Sequence, residues 1–248
     1  MSFRRACVRA VNTFVSLVLF VVMLTMGAYS GFALWDNRQI YTAARDVQIE
    51  MQALKPTLTG NRPSFAQLRA VNPDVKGWLM LDGTGIDYPI LQGESNLTYI
   101  NTDVYGEFSL SGSIFLDCRN SADFSDSYHL VYGHHMAEGR MFGDLDRYKE
   151  EAFFRENTTG TLMTAGRVYD LHVLALLIVP ASEARVFDVP GNQGTDEVVR
   201  FLWDNAAVLA DDLPAAGEEL QLLALSTCAA EFTDARTVLV TAMSERRE

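Results

Sequence analysis

The pattern of hydrophobic and polar residues begins with a long apolar stretch. No charged residue lies between Arg9 and Asp36, so Ala10–Trp35 is a run of 26 uncharged residues. As a helix it would be about 39 Å long at ~1.5 Å per residue, enough to cross the ~30 Å hydrocarbon core of a bilayer. The pattern predicts a transmembrane signal-anchor helix over residues 10–35.

The charges that flank this stretch predict its orientation. Residues 1–9 carry three arginines and no acid, whereas Asp36 follows the stretch. The positive-inside rule makes residues 1–9 a cytoplasmic basic leader and places the rest of the chain outside the cell. A cleaved signal peptide is the alternative, with small residues at 28–30 as a weak processing site. Its apolar region is usually only ~7–15 residues long, so the length favours an uncleaved, single-pass anchor in the cell membrane.

Helical patterns follow the apolar stretch. Apolar residues at mixed three- and four-residue spacing predict a helix over 36–55, ended by Pro56. Ser64, with Gln67 three residues later, is expected to be the N-cap of a second helix that Asn72-Pro73 closes. Residues 36–72 are therefore expected to form a helical stalk that packs on the following domain.

From residue 73 to residue 248 the pattern is typical of strands. Apolar and β-branched runs separated by turn residues predict eight strands, over 77–81, 86–91, 112–117, 128–133, 160–165, 167–179, 219–227 and 236–243. Helical patterns over 143–156 and 196–209 interrupt them, and Trp78 and Trp203 are expected in the core. The predicted fold is mainly β with added helices: an eight-stranded barrel with N-terminal helices and an inserted helix before the 219–227 strand.

Composition and charge narrow the possible functions. Hydrophobic residues make up 48% and charged residues 21% of the chain, as in a globular protein. Its net charge is −12, and without the three arginines of the leader the remainder carries −15. Non-specific nucleic-acid binding needs a concentrated positive surface, so nucleic acid is excluded as a partner.

Two predicted strands end in residues suited to nucleophilic catalysis. One predicted strand is followed by His134 and His135 after Gly133, and another ends in Ser226-Thr227-Cys228. Arg236 is the first residue of the next predicted strand, eight residues after Cys228. A thiol is nucleophilic as the thiolate, and a nearby imidazolium or guanidinium lowers its pKa from ~8.5. Histidine can protonate a leaving amine, and arginine can hold a developing oxyanion. Antiparallel pairing of the last two strands would place Cys228 beside Arg236.

Other roles for these residues remain open at this point. Cys118 and Cys228 are the two cysteines beyond the anchor, and they either pair with each other or leave at least one thiol free. A zinc site of His134, His135 and Cys228 is an alternative, although structural zinc usually requires four ligands with short paired spacings. Adjacent strand residues point to opposite faces, so only one of the two histidines should face Cys228.

Taken together, several segments in this order resemble the class B sortases, the cysteine transpeptidases of the Gram-positive cell surface. The resemblance covers nearly the whole region beyond the anchor, and its segments are Asn72–Leu79, Ile86–Gly93, Ser111–Asn120, Tyr132–Met136, Met141–Leu145 and Leu225–Cys228 with Arg236. It implies a sortase-type barrel over residues 73–248, with the helix near 196–209 as the insertion that marks class B.

The resemblance also implies residue roles. Cys228 is the nucleophile, His134 the general acid/base, and Arg236 the oxyanion-holding or substrate-positioning residue. The residues expected to bind substrate are Asn96, Ile100, Ser226 and Thr227. No metal and no organic cofactor is implied.

The implied reaction is transpeptidation by a membrane-anchored enzyme. Such an enzyme cleaves a C-terminal sorting motif of secreted proteins at a threonine carbonyl and forms a thioester. It then transfers the acyl group to an amine of a peptidoglycan precursor or to a pilin lysine. The alternatives are a catalytically inactive surface binding module and a hydrolytic cysteine peptidase of the same fold.

Overall fold

The computed structural model describes residues 2–59, 62–189, 195–213 and 220–246. Parts of the predicted ranges lie outside the described residues: Met1 of the leader, residues 60–61 of the stalk, residue 219 of a predicted strand, and residues 190–194, 214–218 and 247–248 of the barrel domain.

The N-terminal apolar stretch and the following helical pattern form one continuous helix, α1 (Ser2–Ala53). From Cys7 onward it is long and apolar enough to cross a membrane, a property that signal sequences share. The helix ends two residues before the predicted end, because Pro56 disfavours helical geometry in the residue before it. The chain divides into two compact units between Ala43 and Ala44, so the last turns of α1 belong to the larger unit.

The helix α2 (Ala66–Val71) starts differently from the prediction. Phe65 is its N-cap residue and no side chain caps it, so the expected Ser64 cap is wrong. Phe65 is only 3% exposed, which indicates that burial of its ring sets the start of the helix. Just before it, β1 (Leu58–Thr59) and β2 (Arg62–Pro63) form a short antiparallel pair that the sequence pattern did not reveal.

All eight predicted strands are present. The remaining strands are β3 (Val75–Leu81), β4 (Asp87–Leu91), β5 (Ile114–Leu116), β6 (Tyr128–Tyr132), β7 (Thr159–Thr164), β8 (Arg167–Pro180), β9 (Val208–Leu209), β10 (Gln221–Cys228) and β11 (Ala235–Glu245). Their order is β11-β10-β6-β5-β4-β3-β7-β8, and β8 also pairs with β11. This last pairing closes the sheet into an eight-stranded barrel, and β9 attaches to β8 outside the closed ring. The β4–β5 and β6–β10 pairs are parallel, so the barrel is mixed.

The inserted helices differ in detail from the prediction. The 143–156 segment is a 3-10 helix (Gly143–Lys149) followed by α3 (Glu151–Glu156). After the short α4 (Ala184–Phe187), α5 spans Thr195–Asn205, and residues 208–209 are strand rather than helix. The sheet overrides the helical pattern here, because backbone hydrogen bonds from residues 207 and 210 go to β8.

The helix α5 shows which face of the insertion contacts the barrel. Val198, Val199 and Leu202 are at most 1% exposed and belong to a core cluster shared with β6, β8, β10 and β11. Trp78 lies fully buried in β3, as predicted, but Trp203 is 53% exposed, so its predicted core position is wrong. Trp203 follows Leu202 by one position, and a step of about 100° around the helix carries it off the buried face.

A buried histidine in β6 gives a prediction about pH and stability. His129 is fully buried beside the Phe124 ring, and its Nδ1 lies 3.3 Å from the Leu222 carbonyl oxygen. Burial lowers the pKa of His129 below its ordinary value of 6.5, although that hydrogen bond and two nearby aspartates act in the opposite direction. The unfolded chain therefore binds a proton that the folded chain does not. We expect the free energy of unfolding to fall as the pH drops below about 6.5, by at most about 1.4 kcal/mol per pH unit from this residue.

The measurement is urea unfolding at pH 7.5 and pH 5.5. His129→Gln should reduce the difference between the two pH values. His172→Gln is the matched control, since His172 is 41% exposed and pairs with Asp212 at the surface. An unchanged pH difference in His129→Gln would contradict the prediction.

Candidate active site

The ends of three strands bring the predicted chemical groups together. β6 runs parallel to β10 with Tyr132 opposite Ser226, and the Gly133 N–H donates to the Ser226 carbonyl at 3.1 Å. β10 runs antiparallel to β11 with Cys228 directly opposite Arg236, which confirms the predicted pairing. The carboxyl ends of β6 and β10 and the amino end of β11 therefore lie at the same end of the barrel.

Gly133 is required where the chain leaves β6. A Cβ atom at this position would lie 2.4 Å from Ile114 Cδ1 and 2.8 Å from Phe142 Cδ2. Any larger residue would require the Ile114 or Phe142 side chain, or the backbone that carries His134, to shift. The glycine thus sets the path by which the histidine reaches the strand end.

A cavity of about 130 Å³ opens at this end of the barrel. It contains all three predicted catalytic residues and three of the four predicted substrate-binding residues. Its lining consists of Ile100, Phe115, Tyr132, Gly133, His134, Ser226, Thr227, Cys228 and Arg236. Asn96 is not among the lining residues, so the structure separates it from the other predicted site residues.

The three predicted catalytic side chains differ in their surroundings. Cys228 is an exposed, free thiol at the last position of β10, and Cys118 is also free. The half-buried imidazole of His134 has its Nε2 2.7 Å from the Ile100 carbonyl oxygen. A carbonyl can only accept, so Nε2 carries a hydrogen and Nδ1 is the other site for proton exchange. Arg236 is half-buried and donates from Nη1 to the Ala235 carbonyl at 3.0 Å.

Two residues of the cavity lining have buried hydroxyls without a partner among the described residues. Ser226 and Thr227 are each 2% exposed, and neither hydroxyl has a hydrogen-bond partner in the described part of the chain. An unpaired buried hydroxyl costs ~1–3 kcal/mol. A bound peptide can offer such hydroxyls partners through its amide groups.

The predicted binding residue Asn96 is engaged elsewhere. Its Nδ2 donates to Asp117 Oδ2 at 2.9 Å, and its Oδ1 accepts the Cys118 N–H at 2.7 Å. Both ends of the amide thus hold the chain just after β5. Ile100, four residues later, lines the cavity and supplies the carbonyl that contacts His134.

The two adjacent histidines have different environments. His135 is exposed, lies outside the cavity lining, and places Nε2 2.7 Å from Asp146 Oδ2. Asp146 also pairs with Lys149 at 2.7 Å. Among the residues that the structure describes, no group of three or more His, Cys, Asp or Glu side chains is arranged to hold a metal ion.

Sequence reasoning missed the aromatic part of the cavity. Phe115 and Tyr132 both line it, with ring centroids 5.3 Å apart. Tyr132 is the last residue of β6 and lies two positions before His134, and both residues line the cavity. That spacing was the signal in the sequence that could have identified Tyr132.

Comparison with known proteins identifies the family. No protein-family model matches the chain. Sortase B of Listeria monocytogenes is 32% identical over 164 residues, which cover 65% of this chain and 67% of that protein. The chain belongs to the class B sortases.

Solved class B sortases also match the fold. The Streptococcus pyogenes class B sortase involved in pilus biogenesis has a TM-score of 0.66 and 36% identity, covering 73% of this chain and 98% of that one. Sortase B from Bacillus anthracis has a TM-score of 0.70 and 26% identity, covering 84% and 99%. The predicted fold class is confirmed. As a class B sortase, the protein is a cysteine transpeptidase.

Proposed function

We propose that this sortase cleaves a C-terminal sorting motif of secreted proteins at a threonine carbonyl and transfers the acyl group to an amine. The acceptor is a peptidoglycan precursor or a pilin lysine. The observation that carries the proposal is the single cavity lined by Cys228, His134 and Arg236, with Cys228 and Arg236 as direct register partners. A thiol, a proton carrier and a fixed positive charge are sufficient for acyl transfer from a peptide bond.

In the first half of the reaction, the Cys228 thiolate attacks the threonine carbonyl carbon and an S–C bond forms. The guanidinium of Arg236 stabilises the negative oxygen of the tetrahedral intermediate. The C–N bond then breaks, and the departing amine takes a proton from the imidazolium of His134. The product of this half is a thioester on Cys228 and a released C-terminal fragment.

In the second half, the acceptor amine attacks the thioester carbonyl. His134, now neutral, takes a proton from the attacking amine, the S–C bond breaks, and the Cys228 thiolate is restored. Ser226 and Thr227 are proposed to bind the peptide, since both residues line the cavity and their hydroxyls have no partner among the described residues. Ile100 forms part of the same proposed peptide site, and Asn96 acts on it from outside the cavity.

We also propose that the enzyme works as a single-pass membrane protein with a cytoplasmic N-terminus. The support is the 26-residue uncharged stretch, Ala10–Trp35, and the three arginines before it. An outside location would place the catalytic cavity where secreted proteins and cell-wall amines are both present. Residues 1–9 serve as the leader, 10–35 as the anchor, 36–72 as the stalk and 73–248 as the catalytic domain.

The test of this proposal is mass spectrometry of the enzyme after incubation with candidate sorting peptides. The expected result is an adduct on Cys228 whose mass equals the peptide fragment ending at threonine. Adding an amine should convert this adduct into ligated peptide at the expense of hydrolysis. A labelled Cys118 with an unmodified Cys228, or hydrolysis unaffected by amine, would contradict the proposal.

Substitutions of Arg236 can distinguish oxyanion stabilisation by its guanidinium from the effect of a positive charge alone. Arg236→Ala is expected to lower kcat about 10²–10³-fold, because one preorganised donor to the oxyanion is lost. Arg236→Lys should recover only part of this loss, since a lysine lacks the forked donor geometry. The measurement is steady-state peptide transfer, with Arg185→Ala as a control at an exposed arginine outside the cavity. Equal kcat values for Arg236→Ala and wild type would exclude the oxyanion role.

A further inference from the structure

A buried carboxylate lies next to the cavity but outside its lining. Asp117 directly follows β5 and is 0% exposed. Its oxygens accept hydrogen bonds from Arg119 N, Nε and Nη2 at 3.0, 2.8 and 2.8 Å, from Asn96 Nδ2 at 2.9 Å and from Tyr132 Oη at 3.0 Å. Burial raises the pKa of Asp117, but these hydrogen bonds outweigh it and hold the pKa below its ordinary value. The group is therefore ionised at neutral pH.

Asp117 fixes the aromatic wall of the cavity through Tyr132. The Tyr132 hydroxyl donates to Oδ2, and its ring packs against Phe115, so both lining aromatics have a defined position. Tyr132 packs against the core cluster that includes α5 and against a second cluster around Trp78 and Phe115. It is followed directly by Gly133 and His134, so the position of its ring and that of the imidazole depend on the same strand end.

Asp117 also fixes the segment that supplies the His134 contact. Asn96 donates to Asp117 and accepts from Cys118, which ties the start of the 96–100 segment to the end of β5. Ile100 at the other end of that segment lines the cavity and contacts the imidazole through its carbonyl. Asn96 is therefore connected to the cavity through the 96–100 segment without lining it.

Arg119, the charge partner of Asp117, also contacts the end of α4. Arg119 Nη2 donates to the Phe187 carbonyl at 2.7 Å, and its Nη1 lies 3.8 Å from Asp188. Phe187 and Asp188 lie at the end of α4, which follows β8. The last residues of β8 pair with the start of β11, where Val179 lies opposite Arg236. One carboxylate therefore links three elements around the cavity: β6, the 96–100 segment and the end of α4.

The energetic cost of burying the Asp117–Arg119 ion pair indicates that the pair serves to position its neighbours. A buried ion pair costs several kcal/mol in desolvation per ion, and well-packed apolar residues in its place are often as stable. Stability alone therefore does not require an ionised aspartate here. We propose that Asp117 is a positioning residue of the transpeptidation site, which holds the Tyr132 ring and the 96–100 segment in the geometry that binds the sorting peptide. This inference rests on the proposed function of the cavity.

The test compares two tyrosines of the same strand. Tyr132→Phe removes only the hydroxyl that donates to Asp117 and keeps the ring. Tyr128→Phe is the matched control, since Tyr128 is 2% exposed, donates to the Val186 carbonyl at 2.9 Å, and is not part of the cavity lining. Each variant loses one tyrosine hydrogen bond, to a carboxylate for Tyr132 and to a neutral carbonyl for Tyr128, so both should lower Tm.

Only Tyr132→Phe is expected to change kinetics. KM for a sorting peptide should rise about fivefold, with kcat within about twofold of wild type, because peptide binding is weakened and the reacting groups are retained. Asp117→Asn should raise KM at least as much, if it folds. A wild-type KM in Tyr132→Phe, or an equal rise in Tyr128→Phe, would overturn the proposal. Failure of the proposed function would appear separately, as peptide transfer that persists in a Cys228→Ala variant.

Discussion

Cys228→Ala is expected to abolish peptide transfer, with a loss of about 10⁴-fold or more in kcat. The reaction as proposed passes through a thioester, and alanine offers no atom that can form one. Removal of the nucleophile from comparable acyl-transfer enzymes has effects of this size, and the residual rate comes from binding and oxyanion stabilisation alone. The measurement is ligation of a sorting peptide to an added amine, together with the mass of the enzyme.

Cys118→Ala is the matched control for this variant. Cys118 is also a free cysteine, is half-buried, and lies outside the cavity lining. We expect it to retain most of the wild-type rate, because its known contact to Asn96 uses the backbone N–H, which alanine keeps. A thiol-reactive probe should label Cys228 before Cys118, since Cys228 is exposed and Cys118 is half-buried. Loss of transfer in Cys118→Ala with retention in Cys228→Ala would reverse the assignment of the nucleophile.

His134→Ala is expected to lower kcat about 10²–10⁴-fold, the usual contribution of general acid–base catalysis. Without the imidazole the departing amine loses its proposed proton donor, so acylation of Cys228 should slow. Acylation can be followed directly by the release of the C-terminal peptide fragment in a single turnover. Its rate separates this step from attack by the acceptor amine.

His135→Ala is the control that distinguishes the two adjacent histidines. His135 is exposed and its Nε2 contacts Asp146, so its loss removes one surface hydrogen bond outside the cavity. We expect kcat within about twofold of wild type. If His135→Ala were as slow as His134→Ala, the two imidazoles would have to act together, and the assignment of a single acid/base would be wrong.

Class membership and the site geometry rest on different observations. The family was established by similarity over about two thirds of the chain, whereas the cavity is defined by strand pairing in this structure alone. The register pair of Cys228 and Arg236 follows from antiparallel pairing across a short connection, which sequence spacing predicted. The parallel β6–β10 pair, which carries His134 to the same end, could not be derived from spacing because the two strands are about 90 residues apart.

The sequence by itself predicted the eight barrel strands, the uncharged stretch and the proximity of Cys228 to Arg236. Each of these depends on hydrophobic periodicity or on short connections, which act over a few residues. Predictions from the sequence pattern were wrong at two places where contacts with distant residues determine the local structure. Residues 208–209 pair with β8 instead of extending α5, and Phe65 rather than Ser64 starts α2.

Only the tertiary structure decided how distant segments meet. Closure of β8 on β11 makes the barrel, and strand pairing brings His134 into the cavity while His135 turns to Asp146. The network of Asp117 joins residues 96, 119 and 132. The physical reason is that a buried charge requires hydrogen-bonding partners, which can come from distant parts of the chain. Hydrophobic periodicity in the sequence predicts which residues are buried, but it does not predict which residues those partners are.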